Sequence, residues 1–188
     1  MDVLDFNADE VCKSLQTCID TPGLDLKSYL QSCQHLSHLV ARLGKVMSIL
    51  TLEINPRVNS LKKLLAKNAE SVTEILKDHS SQSKSQIVYL NAIFILIFEL
   101  FDRMLKDGTK DDDKVSVMAW EAHQACPLYK TDSFVTKGGV KAAVFSSGNV
   151  RQVFDLAAPE LTHEERFEYI GKAVELMKEI SKEVTQFI

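Results

Sequence analysis

Apolar residues along this 188-residue chain recur at intervals of three and four almost from end to end, which is the spacing of amphipathic helices. The first such stretch opens at Asp9, carries Val11, Leu15, Cys18 and Ile19 on one stripe, and stops at Thr21-Pro22-Gly23. From Leu24 the same period runs through Leu26, Leu30, Cys33, Leu36, Val40, Leu43, Met47, Leu50, Ile54, Val58, Leu61 and Leu65. That predicts one helix, far longer than average, with a defect in it. Pro56 is the expected defect, because it removes an amide donor and crowds the carbonyl of Leu52, so a bend or break is predicted near Asn55. Gly44 is a second weak point. A shorter helix is predicted over Ala69 to Asp78, followed by the polar connector Ser80-Ser81-Gln82-Ser83.

The pattern then changes character. Ile87 to Leu105 is apolar nearly all round, interrupted by Asn91 and Glu99 and closed by Asp102 and Arg103. A helix without a polar face is either buried on all sides or crosses a membrane. Its unbroken apolar runs are much shorter than the roughly 20 residues a crossing needs, so it is predicted to be the central helix of a soluble bundle. Lys106 to Lys114 is a charged loop. Further helices are predicted over Val115 to Cys126, Phe134 to Phe145 and Asn149 to Ala157. Thr162 with Glu165 three residues later forms a capping box for a last helix, whose stripe Phe167, Ile170, Val174, Met177, Ile180 and Val184 runs to the C-terminus. No strand or hairpin signal competes. The expected fold class is all-α, about eight helices in a single domain over residues 1–188.

Composition narrows the function without naming it. With 26 acidic and 22 basic residues the formal charge is −4, and a general nucleic-acid binder would carry a basic footprint instead. The four cysteines, Cys12, Cys18, Cys33 and Cys126, form no CxxC pair, and the first nine residues have acids where a secretory leader needs a basic and then an apolar run; free thiols in a reducing, cytoplasmic setting are expected. His35 and His38 lie three apart, a metal spacing on a helix, but lack an evident third ligand, and no metal or cofactor is expected. Walker, GxSxG, HExxH and dinucleotide-binding glycine patterns are absent. His123 and Cys126, also three apart, would make a thiol–imidazole pair, though sequence-local pairs on helices arise readily by coincidence. Glu53 and Arg57, acid first and four apart, form an ordinary helical ion-pair spacing contributing about 0.2–0.5 kcal/mol.

The sequence around that pair gives it more weight. Leu26 to Leu65, with its Tyr29-Leu30 start, the spacing of Leu36, Leu39 and Leu43, the Leu43-Gly44 step and an acid followed four residues later by a base, resembles the second helix of the glycolipid transfer protein family. Leu90 to Leu100 is similar to the family's central helix, Ala119-Trp120-Glu121 to a later one, Arg151-Gln152-Val153-Phe154 to its penultimate helix, and Tyr169 to Ile188 to its last. The resemblance is closer to the ceramide-1-phosphate transfer branch, with a divergent head-group site.

The resemblance implies a two-layer helical sandwich that encloses the hydrocarbon chains of one sphingolipid and holds its polar part at the surface, without making or breaking bonds. It implies that Glu53 meets the ceramide amide and Arg57 the head group. A guanidinium forks onto phosphate, so Arg57 favours a phosphate-bearing lipid such as ceramide-1-phosphate. Asn91 and Lys84 stand in for the phosphate branch's arginines on the central helix. Lys130 follows Tyr129 where the family has a Tyr-His step, and near Val88 the sugar-stacking tryptophan of the glycolipid branch is missing. Phe134, beside Lys137, replaces a membrane-inserting tryptophan. The implied apolar pocket comprises Val46, Leu50, Ile54, Val88, Ile95, Phe98 and Val144. The expected partners are therefore a sphingolipid or other two-chain phospholipid and, transiently, a membrane surface. The alternative is a divergent helical module that senses lipid or binds proteins without transferring anything.

Overall fold

A computed structural model describes residues 8–43, 49–66, 69–77, 82–107, 115–127 and 148–188. Among them run eight helices: α1 (Ala8–Asp20), α2 (Leu26–Arg42), α3 (Ile49–Leu65), α4 (Val72–Lys77), α5 (Gln82–Asp107), α6 (Val115–Ala125), α7 (Val150–Ala157) and α8 (His163–Thr185). The helix expected over Phe134 to Phe145 lies outside the described residues. Helix α5 is the hub, packing against α8, α6, α3 and α4, while α1 lies on α2 and α8. Its residues Ile87, Leu90, Ile93, Phe94, Ile97, Leu100, Phe101 and Met104 are all buried, as its nearly continuous apolar sequence requires. Thr162 accepts from the Glu165 amide, and Glu165 reaches back to the Thr162 amide, so α8 starts on its predicted capping box.

The long helix expected from Leu24 to Leu65 is instead two. Helix α2 ends at Arg42 with Leu43 as its cap, α3 begins at Ile49, and the pair pack side by side. Ser37 donates to Asn55 Oδ1 at 2.8 Å, a contact centred on residue 46, as in a helical hairpin. The interruption therefore follows the cap at Leu43, and Pro56 sits within an unbroken α3. Pro56 is tolerated because the acceptor it deprives belongs to Leu52, which is 72% exposed, so water can take the place of the missing amide. The apolar period hides this break, since facing stripes of a hairpin carry the same spacing as one continuous helix.

Helix α4 is shorter than predicted because the residues before it bond elsewhere. Leu26 donates to the Glu70 carbonyl (2.9 Å), Val72 to that of Leu24 (2.9 Å) and Thr73 to that of Gly23 (3.1 Å), with Asp25 and Ser71 bridged between them. This short pairing fixes the start of α2 against the start of α4. Gly23 adopts φ 81°, and a Cβ there would lie 2.6 Å from Thr73 Oγ1. Gly23→Ala is accordingly expected to destabilise the protein by about 1–3 kcal/mol, measured as a lowered denaturant midpoint with an unchanged m-value.

Polar contacts tie the helices at a few defined points. Buried Ser32 donates to Ser14 Oγ across α1 and α2 at 3.1 Å. Lys178 of α8 reaches Asp102 of α5 at 2.9 Å, and Lys106 reaches the same carboxylate at 2.7 Å. Partial burial alone would raise the Asp102 carboxyl, but these two lysines outweigh it and hold it below the usual carboxylate range. All four cysteines are free and buried, and burial pushes the thiols of Cys12 and Cys18 up to about 11 and about 12.

Candidate head-group cleft

The pair singled out by its spacing is formed. Glu53 Oε2 accepts from Arg57 Nη1 at 2.7 Å, and the same nitrogen donates to the Glu53 backbone carbonyl at 2.6 Å. Both side chains are partly exposed, at 44% and 27%, so as a fold-stabilising ion pair this contact contributes little. What it does is fix the guanidinium, because two acceptors one turn back on α3 hold the same end of it.

Arg57 is also held from the other side. Its Cζ lies 3.7 Å from the centroid of the Tyr89 ring on α5, a cation–π stack. Below Tyr89, the first two turns of α5 expose polar residues at helical spacing: Gln82, Ser85 and Gln86 precede Tyr89 by seven, four and three positions and therefore share its face. These four side chains, with Pro56 and Arg57, line a surface cleft of about 410 Å³. The Oε1 atom of Gln86 is buried and has no hydrogen-bond partner among the described residues. The cleft thus offers one oriented cation, an aromatic wall and a strip of carboxamide and hydroxyl groups.

Other residues expected at the site are distributed differently. Lys84 Nζ donates to the Phe187 carbonyl at 3.2 Å. Asn91 follows Tyr89 by two positions, about 200° around the helix, and is only 2% exposed inside the core. Ile54 is buried, Leu50 and Val88 are half-buried against the core, and Ile95 and Phe98 border a second groove of about 560 Å³ along α8. Lys130, Phe134, Lys137, Val46 and Val144 lie outside the described residues. His123 is buried with its ring against Trp120, and Cys126, also buried, donates through Sγ to the Ala92 carbonyl at 3.1 Å. Both are buried, whereas a reactive thiol pair is accessible. Among the described residues, no group of three or more His, Cys, Asp or Glu is placed to hold a metal ion.

Tyr89, Gln82, Ser85 and Gln86 are the cleft residues that sequence reasoning missed. Their signal was present: a polar stripe at helical spacing leads into a helix that is otherwise apolar all round.

Asn91 has a testable consequence of its own. Its Oδ1 is buried without a hydrogen-bond partner among the described residues, and such an orphan costs about 1–3 kcal/mol. Asn91→Leu, close in size, is expected to raise the thermal midpoint of the lipid-free protein by about 2–4 °C for each kcal/mol regained, as read by calorimetry. An unchanged or lowered midpoint would show that the amide is already satisfied.

Comparison with known proteins places this geometry in context. The family model described as glycolipid transfer protein matches residues 24–158. No curated protein sequence matches the chain at a significant level. Among solved structures, mouse ceramide-1-phosphate transfer protein in its apo form superposes with a TM-score of 0.85 at 16% identity, over 97% of this chain and 95% of that one. The human ceramide-1-phosphate transfer protein, in complex with 12:0 ceramide-1-phosphate, gives 0.81 at 14% identity, over 97% and 95%. A mutant of Arabidopsis accelerated-cell-death 11, complexed with C12 ceramide-1-phosphate, gives 0.80 at 7% identity, over 96% and 94%. At these identities the likeness establishes the fold, which is the all-helical arrangement those proteins share.

Proposed function

The chain belongs to the glycolipid transfer protein family, and from that premise we propose that it is a lipid carrier: it takes up one sphingolipid with a phosphate in its head group and moves it between membranes. The observation that carries this reading is Arg57, oriented by Glu53 and Tyr89 at the edge of a polar cleft beside the apolar helix α5. A guanidinium held in that way presents its remaining N–H groups to a phosphate without first losing rotamer freedom. Glu53, at the same point, is the proposed acceptor for a ceramide amide.

The hydrocarbon chains would enter among apolar residues of α3 and α5, where burial of each methylene is worth about 0.8 kcal/mol, so two chains provide most of the affinity. Leu50, Ile54, Val88, Ile95 and Phe98, with Val46 and Val144, are the proposed lining. Lys130 remains a proposed donor to the lipid's carbonyl, and Phe134 with Lys137 the proposed membrane contact; Lys84, held at the Phe187 carbonyl, and Asn91, inside the core, are not among the residues lining the cleft. Among the described residues no helix is long and apolar enough to cross a membrane, in keeping with docking at a surface.

The test is mass analysis of lipid extracted from the purified protein, together with vesicle-to-vesicle transfer of labelled ceramide phosphate, sphingomyelin, glucosylceramide and a glycerophospholipid. A bound two-chain sphingolipid that is also transferred supports the reading. If nothing copurifies and nothing moves, the carrier is excluded and a ligand-free scaffold takes its place.

A further inference from the structure

Resting on the carrier reading, we infer that the cleft selects a phosphodiester head group extended by a polyhydroxylated substituent, in preference to a terminal phosphate. Three features of the cleft lead there. The first is charge. Arg57 is the one cation among the described residues lining the cleft, and its charge is matched by Glu53 at 2.7 Å. A terminal phosphate carries about −1.5 to −2 near neutral pH, whereas a diester carries a single negative charge. Beside Glu53, the terminal group would leave excess negative charge facing one guanidinium, and partly desolvated charge without a partner is costly.

The second feature is the kind of polar group available. Gln82 and Gln86 bear carboxamides, each able both to donate and to accept, and Ser85, whose hydroxyl donates to the Gln82 carbonyl at 2.9 Å, keeps its acceptor lone pairs, which is how hydroxyl-bearing ligands are held. The Oε1 of Gln86 is a buried acceptor lacking a donor among the described residues. An ionised phosphate has only acceptors and leaves it unsatisfied; a sugar alcohol brings donors. A choline substituent brings none.

The third feature is room. The cleft of about 410 Å³ opens to solvent and runs from Arg57 along Gln82, Ser85 and Gln86, so it has room for a head group longer than a terminal phosphate. Arg57 sits at one side of this space, with the strip from Gln82 to Gln86 completing it, so a diester phosphate on Arg57 directs its substituent onto those side chains.

The experiment compares transfer of four labelled lipids by the full chain: ceramide phosphoinositol, ceramide phosphate, sphingomyelin and glucosylceramide. Ceramide phosphoinositol is expected to move fastest, by about tenfold over ceramide phosphate, the ratio that one satisfied buried hydrogen bond of about 1.4 kcal/mol supplies. Gln86→Leu is expected to lower the ratio of ceramide phosphoinositol to sphingomyelin transfer about tenfold, and Gln86→Arg to shift preference toward ceramide phosphate. Equal or faster transfer of ceramide phosphate by the unaltered chain overturns the inference while leaving the carrier reading intact. A Gln86→Leu variant that slows every lipid by one common factor overturns it as well, since the side chain would then be serving the fold alone. Transfer of none of the four removes the carrier reading and this inference together.

Discussion

Replacing Arg57 with alanine is expected to slow transfer of a phosphate-bearing sphingolipid between vesicles by about ten- to a hundredfold. A hydrogen bond to an ionised group contributes about 1.5–3 kcal/mol, and each 1.4 kcal/mol is a factor of ten. The loss is compounded because Glu53, paired with Arg57 at 2.7 Å, would be left as an uncompensated carboxylate facing an anionic ligand. Arg57→Lys keeps the charge but not the planar fork or the stack on Tyr89, and is expected to fall between the two. The fold should be nearly indifferent, since the pair is partly exposed and α3 is held by buried Ile54, Val58 and Leu61. A thermal midpoint within about 2 °C of the unaltered protein, measured alongside the transfer rate, separates a site effect from a folding one. An Arg57→Ala protein that transfers phosphate-bearing lipid at the normal rate would remove Arg57 from the site.

The largest effect on stability is expected at Phe94. It is 1% exposed in the middle of α5, and its ring stacks on that of Tyr29 of α2 with centroids 5.6 Å apart and planes within 12°. Phe94→Ala removes a buried ring and leaves a cavity, which costs about 3–5 kcal/mol. Tyr29 loses its stacking partner at the same time, while its hydroxyl still points to the Ile87 carbonyl at 3.5 Å. Against a total of about 5–15 kcal/mol for a domain, that loss takes a large share, so chemical denaturation should show a much lower midpoint. Phe94→Leu, which refills part of the volume, should recover part of the loss. A midpoint unchanged in the alanine variant would mean that α5 is not the centre of the core.

What could be read from the sequence depended on how local the determining interaction is. The start of α8 was legible to the residue, because a capping box is set by Thr162 and Glu165 alone. The burial of α5 was legible because a helix lacking a polar face has few ways to exist in water. The α2–α3 hairpin was not, because the apolar stripe runs through it and Pro56, the nominal breaker, lies on a hydrated face where its missing amide is harmless. The start of α4 was not, because it is decided by pairing with residues 23–26 nearly fifty positions away. At the cleft, Glu53 and Arg57 are neighbours on one helix and could be paired by spacing. Tyr89 and the carboxamides meet Arg57 only after α3 packs on α5, and no spacing within either segment encodes that.

For a carrier, the double hold on Arg57 bears on unloading. A cargo departing from a deeply desolvated cation must leave a bare charge behind, and that unfavourable vacancy slows release. Arg57 keeps companions that do not depend on the cargo: the carboxylate and carbonyl of Glu53 at 2.7 and 2.6 Å, with the Tyr89 ring beneath. Arrival and departure of a phosphate then change the partners of its remaining N–H groups alone, which trade water for phosphate oxygens and back. The residence time of the cargo is expected to follow those few exchanges rather than the full cost of baring a cation, which favours turnover over tight storage.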